Sequence, residues 1–403
     1  MRLPSAERRG FLIFEPDAEG HSLEWLQHLI AFSLSETIDS EIWLVVPSSL
    51  RNVLAESMPR ANPRVHLIAL SAIEQRLCAK RPLVIAAFAR WWVMRRYLRA
   101  SGARHGFFLM LDLLSLPLAL GLRAGGARLS GILFRPSVHY RELGPYRPTR
   151  GERLRDTRKA LLYRLMLCNP ALERVLSLDP FFPAFAHARY RHGEKVVALP
   201  DPAHPHVDPH ESAVSGKVFP AGRISFLLFG YLAERKGPLA VLDALALLPA
   251  GITSRIGVLF AGKVDPGLRE RLDRQRLDLA RRRPELWLRI EDRRLDDTEL
   301  AALVRQSDVV LAPYQRFVGS SGVLLWAAVN GRPVLAQDYG LIGRLTRDHR
   351  LGVSVDACDP VRIAREMTRM VEDGPASFFD APSATRFAAA QTPHRFASLV
   401  LSV

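Results

Sequence analysis

A glycine turn followed by two adjacent cations carries the most chemistry in this sequence. Leu227-Leu228-Phe229 ends an apolar run, Gly230 and Tyr231 follow, and Arg235-Lys236-Gly237 precede Pro238 at the start of a helical pattern. Glycine lets a backbone approach a ligand closely, and cations beside a helix amino terminus add to a field that already favours anions. The chemistry is that of a diphosphate clamp; the plainer reading is a loop with a basic cap. A second segment, Pro313-Tyr314-Gln315-Arg316-Phe317-Val318-Gly319-Ser320-Ser321-Gly322, leaves an apolar run and enters a helical pattern that contains Trp326. Gly319, Ser320, Ser321 and Gly322 would expose backbone N–H groups and two hydroxyls, which suits phosphate or sugar oxygens. The plainer reading here is a strand–helix unit with capping serines.

Other clusters are weaker. His204, His206 and His210, with Asp201 and Asp208, have the residue types of a metal site, but the prolines among them describe an extended linker, and no metal is expected. Two stretches mix arginines with apolar or aromatic residues at helical spacing. One runs from Phe88 through Arg90, Trp91, Trp92, Arg95 and Arg96 to Arg99; the other spans 150–164 and continues to Leu165. Such faces suit an anionic membrane interface or, more simply, surface helices whose aromatics turn inward.

The elements that hold these residues alternate. Apolar runs at 11–15, 41–47, 65–71, 107–111, 131–134, 172–178 and 195–200 read as strands, and 22–33 reads as a helix with Leu23, Leu26, Leu29 and Ile30 on one face. Continuous apolar runs, rather than alternation, predict parallel strands covered on both faces. Residues 201–223 are proline-rich and poor in apolar side chains. A second series starts at 224, with strands at 224–229, 256–260, 286–290, 309–313 and 333–337, and helices at 238–248, 266–282, 297–306, 321–330 and 359–372. The prediction is α/β: two Rossmann-like, doubly wound domains in series facing a cleft, ligands lying at the carboxyl ends of strands. The expected division is 1–200, a linker 201–223, 224–383, and an amphipathic C-terminal helix 384–403.

Composition narrows the class. The chain has 403 residues, 48% of them hydrophobic and 24% charged, which excludes disorder and a disulfide scaffold. Residues 51–170 carry 22 basic and 6 acidic groups, a net of +16, while residues 1–50 carry 3 and 8, a net of −5. The positive field belongs to one part of the first half and should meet something anionic. Biased use of arginine, 50 of the 56 basic residues, is the bland alternative. Generic nucleic-acid binding is not expected, since no known module accompanies the charge. Three widely separated cysteines, Cys78, Cys168 and Cys358, fit a reducing compartment. The charged start lacks a signal-peptide core, and the longest apolar stretch, 106–122, is short for a membrane span and contains Asp112. A cytoplasmic place, peripheral on the inner membrane face, is the expectation.

The second half resembles the donor-binding domain of GT-B glycosyltransferases, close to the retaining family 4 (group 1). The resemblance runs in order through Gly230, Arg235-Lys236-Gly237, Phe260-Ala261-Gly262, Asp297 to Glu299-Leu300, Ser307-Asp308-Val309-Val310-Leu311-Ala312-Pro313 and Gly331-Arg332-Pro333-Val334-Leu335-Ala336, covering about 195–375. Leu199-Pro200-Asp201-Pro202 is similar to the end of the family's acceptor domain, and the tail to its last helix, which often packs back on the first domain. The resemblance implies sugar transfer from a nucleotide-diphosphate donor, with retention, to an envelope, lipid-linked or polysaccharide acceptor. It implies no metal or other cofactor. Lys236 matches the lysine that neutralises the departing diphosphate, with Arg235 beside it. Gly230, Tyr231, Tyr314, Gly319–Gly322 and Trp326 line the donor side.

Three positions depart from the pattern. Tyr231 stands where the family usually has arginine, and Val318 and Trp326 stand where it usually has two glutamates. The alternative they imply is a protein that binds nucleotide or glycan without transfer. In the first half the resemblance places Gly20 and His21 on a loop facing the cleft, although His21 reads equally as a neighbour of a helix cap. His139, just after the fifth strand, matches a cleft histidine on the catalytic side; alone, such a residue is more often structural. Asp112 and Arg135 are the remaining acceptor-side candidates, and for Asp112 a buried loop cap is the plainer reading.

Overall fold

The computed structural model describes residues 10–18, 22–35, 40–58, 64–202 and 216–402. Gly20 and His21 lie outside these residues, as do His204, His206, Asp208 and His210 of the linker.

Among the described residues thirteen strands form two sheets, and every pairing between them is parallel. The first holds β1 Gly10–Phe14, β2 Glu41–Val46, β3 Val65–Ala69, β4 His105–Phe108, β5 Arg128–Leu133, β6 Leu172–Ser177 and β7 Val196–Ala198, in the order β3-β2-β1-β4-β5-β6-β7. The second holds β8 Ile224–Phe229, β9 Ile256–Ala261, β10 Trp287–Glu291, β11 Val309–Ala312, β12 Val334–Gln337 and β13 Gly352–Val355, in the order β10-β9-β8-β11-β12-β13. Central strands such as Phe11–Phe14 and Phe226–Phe229 are buried throughout, because helices cover both faces. In the first sheet Leu12, Phe14 and Trp43 face one core with Trp91, Met94 and Tyr163, while Ile13 and Leu44 face another with Trp25, Leu29 and Phe396. The second sheet divides in the same way, Leu227 and Phe229 on one side, Phe226 and Leu228 on the other.

In each sheet the strand order reverses once, between β1 and β4 and between β8 and β11. Loops leaving the carboxyl ends of strands diverge at such a point and leave room for a ligand. The loop after β8 is 230–237 and the loop after β11 is 313–322, so both motifs singled out in the sequence flank one reversal.

The chain divides into two units. One comprises Met1–His139, Pro148–Pro202 and Pro393–Val403; the other comprises Tyr140–Arg147 and Ala203–Thr392. The boundaries read from sequence differ in two respects. Residues 140–147 belong with the second unit, where Arg347 Nη2 donates to Leu143 O at 2.9 Å and Tyr146 packs on Tyr339 with ring centroids 5.2 Å apart. The tail is two helices, Ala381–Ala390 and Pro393–Leu401, not one. Proline disfavours helical geometry in the residue before it, so Pro393 starts a new helix rather than continuing the old one. The first of these helices packs on Val323–Val329 and the second on Ser22–Ser35.

Some strand assignments also move; β5 begins at Arg128, three residues before the expected 131. β4 begins at His105, two residues before the expected 107, because His105 stacks flat on Phe11 at 5.0 Å and is accepted into the sheet. β13 escaped the sequence reading: Gly-Val-Ser-Val at the sheet edge has too few apolar residues to show as a run.

Candidate functional site

Two loops converge in the second unit. Gly230 adopts φ +92°, and a Cβ there would lie 2.6 Å from Lys236 Nζ. Gly237 adopts φ +78°, and a Cβ there would lie 2.2 Å from Pro313 O. Both glycines are thus required, one for the lysine and one for the approach of the second loop. Gln315 N donates to Arg235 O at 2.7 Å and joins the loops directly.

Lys236 is 7% exposed. Its Nζ donates to Phe229 O at 2.5 Å and lies 5.7 Å from the Phe229 ring centroid and 5.8 Å from that of Tyr314. Among the described residues no carboxylate pairs with it. A buried ammonium is costly unless something negative balances it. Two ring faces and one carbonyl offer only part of that balance. Arg235 stands exposed beside it, its guanidinium 5.1 Å from the Phe317 ring and 5.9 Å from the Tyr314 ring. Tyr231, where the family usually has a cation, instead donates its hydroxyl to Asp265 Oδ2 at 2.8 Å.

The second loop is held from beneath. Tyr314 Oη lies 2.6 Å from Ser321 Oγ. Gln337, fully buried at the end of β12, accepts from Tyr314 N at 3.0 Å and donates to Phe317 O at 2.6 Å. Tyr339 donates its hydroxyl to Tyr314 O at 2.6 Å and accepts from Arg316 N at 2.8 Å. Burial pushes the Tyr339 hydroxyl far above its ordinary range, so it remains a donor at any physiological pH. Gln337 and Tyr339 were not foreseen. The available signal was a glutamine closing the apolar run Val334-Leu335-Ala336, a place where a polar side chain needs a partner.

Gly319 is buried and Ser320, Ser321 and Gly322 are half-buried on this loop. The other two departures from the family pattern are held inside the unit, one by ring packing and one through its backbone. Trp326 is buried, its ring 6.2 Å from that of Phe229 at the end of β8. Val318 accepts from Leu341 N at 2.9 Å, and Gly340 leaves room for its backbone.

The first-half candidates are placed in the first unit. His139, read as a catalytic-side contact, is 2% exposed. Its Nδ1 donates to Pro136 O at 2.9 Å, its Nε2 lies 3.1 Å from Asp179 Oδ2, and its ring packs against Phe182 and Phe185. That is the environment of a structural histidine. His139→Ala is expected to lower the stability of the first unit by about 2–4 kcal/mol, through a cavity and a buried Asp179 left without its neighbour. Nucleotide-diphosphate affinity should stay within about twofold, as calorimetry beside urea unfolding would check. Asp112 acts as a loop cap: its Oδ2 accepts from Phe134 N at 2.8 Å, and burial pushes its carboxyl up against the pull of Lys159. Lys159 in turn donates to Arg135 O at 3.0 Å, while the Arg135 side chain is exposed.

A second charged group in this unit went unseen in the sequence. Glu15, at the end of β1, is fully buried, and its Oε1 accepts from Asp17 N at 2.8 Å. Asp17 is bridged by both terminal nitrogens of Arg90 at 2.7 and 2.8 Å, and Arg90 Nε donates to Cys78 O at 3.0 Å. Burial raises the Glu15 carboxyl from 4.5 to about 8; Asp17 adds to this, and its own amide and Arg90 oppose it. Among the described residues no cluster of three or more His, Cys, Asp or Glu is placed to hold a metal ion.

Residues 223–373 match the model of a family described as glycosyl transferases group 1. The second unit is a group 1 glycosyltransferase domain. The chain as a whole has the GT-B fold. Its fold is shared with solved structures at low identity. Sucrose-phosphate synthase from Thermosynechococcus elongatus superposes with a TM-score of 0.70 at 16% identity, covering 97% of each chain. A glycosyltransferase from Rickettsia africae gives 0.66 at 12%, covering 98% of each chain. Anabaena HepE in complex with UDP gives 0.64 at 14%, covering 98% of each chain. No curated protein sequence matches the chain. No helix among the described residues is long and apolar enough to cross a membrane.

Proposed function

We propose that this chain is a nucleotide-sugar-dependent glycosyltransferase that moves a sugar from a nucleotide-diphosphate donor, with retention, to an envelope, lipid-linked or polysaccharide acceptor at the inner membrane face. The observation that carries the donor reading is Lys236, a buried cation lacking a carboxylate partner among the described residues, set against a glycine that only a close ligand or the lysine itself explains. A diphosphate would supply the missing negative charge. As the sugar–phosphate bond breaks, charge grows on the departing diphosphate, and a preplaced cation there lowers the barrier. Arg235 would share that charge from the solvent side, and the 319–322 loop would hold phosphate or sugar oxygens with its N–H groups and hydroxyls. The UDP in the HepE complex supports a uridine nucleotide as the first candidate. The acceptor would approach over the basic first unit. No resident cofactor enters this scheme.

With an indole at 326, the ribose has no carboxylate at that position to grip, so the clamp and the serine loop must carry more of the donor affinity. Titration calorimetry against UDP, GDP, ADP and their sugars is the direct test. One diphosphate should bind with micromolar affinity and the others at least about tenfold more weakly. NMR of the product formed from the matching donor should show the anomeric configuration kept. Failure of every nucleotide to bind folded protein would overturn the clamp. Binding without any turnover would favour a non-transferring role.

A further inference from the structure

We propose that the helices covering one face of the first sheet form a docking surface for an anionic phospholipid bilayer. The proposal deepens the reading of a membrane-face working place and rests on it for biological sense, although its physical basis is separate. Leu83–Ser101, Ser115–Ala119 and Arg150–Leu167 lie side by side on that face and share the core built on Trp91, Met94, Leu118 and Tyr163. Their outer surfaces carry side chains that a water-facing helix normally avoids.

On the first helix Leu83 is 65% exposed and Trp92 56%, with Val84, Ile85 and Phe88 exposed between them. Leu120, at the end of the second, is also exposed. On the third, Leu154 is 74% exposed and Leu161 57%, and Leu165 follows. Positions 154, 158, 161 and 165 recur every three to four residues, so Leu154, Arg158, Leu161 and Leu165 share one stripe. More than half of the exposed large apolar residues among the described residues lie on these three helices and their ends, although the helices make up about a tenth of the chain. Chance exposure would scatter them.

The charges around the stripe have one sign. Lys80, Arg81, Arg99, Arg153, Arg158 and Arg164 are exposed, and the guanidinium of Arg96 lies 5.8 Å from the Trp92 ring centroid. The acids nearby are turned to internal tasks. Glu74 and Glu152 close capping boxes with Ser71 and Thr149, and Asp156 accepts from Ser137 Oγ at 2.7 Å. Apolar side chains that enter the headgroup boundary, ringed by arginines that meet phosphate, describe a surface lying on an anionic bilayer. A protein partner of ordinary composition would require acids among the apolar contacts to answer them.

Vesicle cosedimentation with the full chain tests this, using phosphatidylcholine alone and phosphatidylcholine with 30% phosphatidylglycerol. Binding should require phosphatidylglycerol and fall at least about tenfold between 0.1 and 0.5 M salt. The double variant Trp92→Ser/Leu161→Ser alters only exposed positions and should lower partitioning about tenfold, with the urea midpoint and nucleotide affinity unchanged. Equal binding to both vesicle types, no binding, or a concentration-dependent dimer that the double variant abolishes would overturn the proposal. Nucleotide calorimetry on the same samples separates the two readings: loss of nucleotide binding with vesicle binding intact overturns the donor clamp and leaves this surface standing.

Discussion

Lys236→Met should lower turnover by about 10²–10³-fold, the usual loss when one preorganised group facing developing charge is removed. Methionine keeps most of the length and the apolar character of the stem, so the box of Phe229 and Tyr314 stays largely filled. The same change should leave folding stability unchanged or raise it by roughly 1–2 kcal/mol, because the native protein buries an ammonium against ring faces and a single carbonyl. The two effects of opposite sign are the signature of a charge kept for a ligand rather than for the fold. Steady-state turnover with the cognate donor, beside urea unfolding, measures both. A variant that turns over normally, or one that loses activity only because it unfolds, would remove Lys236 from the mechanism. Arg235→Ala should cost less, since its charge is exposed and water competes for the phosphate.

Glu15→Gln should flatten the pH dependence of stability. The folded chain holds the Glu15 carboxyl protonated up to about pH 8, while an unfolded glutamate releases its proton near 4.5. Below 4.5 both states are protonated and the group costs nothing. Between 4.5 and about 8 the unfolded state alone gains by ionising, so native stability falls with rising pH, by about 1.4 kcal/mol per unit for one proton. Above about 8 the loss is complete and constant, of the order of several kcal/mol. Glutamine has no proton to release and keeps the acceptor for Asp17 N. Urea unfolding at pH 5, 7 and 9 should therefore show the variant gaining on the native chain as pH rises. Curves that stay parallel across that range would mean that Glu15 is ionised in the folded protein.

The fold was legible because its signals are local and repeated. Apolar runs marked most strands to within a residue or two, and Pro266–Arg282 and Asp297–Gln306 were read to the residue from proline, acidic caps and helical spacing. What failed to show was context. β13 is short and half polar, and the break before Pro393 was lost inside an otherwise helical pattern. The loops 230–237 and 313–322 were legible for the same local reason: glycine, cations and small polar residues sit at strand ends. The residues that hold those loops were not, since Gln337 and Tyr339 act on a loop twenty or more positions earlier in the chain. His139 shows the converse. A histidine after a strand reads as chemistry, and only the packing of Phe182, Phe185 and Asp179 around it shows a structural part.

Neither unit is one uninterrupted stretch of chain, and this has a consequence in time. Phe396 packs on Trp25 at 5.1 Å between ring centroids, so the core beside the first helix is closed by a residue made some 370 positions later. During synthesis the second unit has all of its residues before the first does. Until Pro393–Leu401 emerges, an apolar patch around Trp25 stays open on a nascent chain whose later-made half is ready to fold. The order of completion therefore runs opposite to the order of synthesis, and a lesion in the stretch that encodes Pro393–Leu401 would strike the unit most of whose residues are made first.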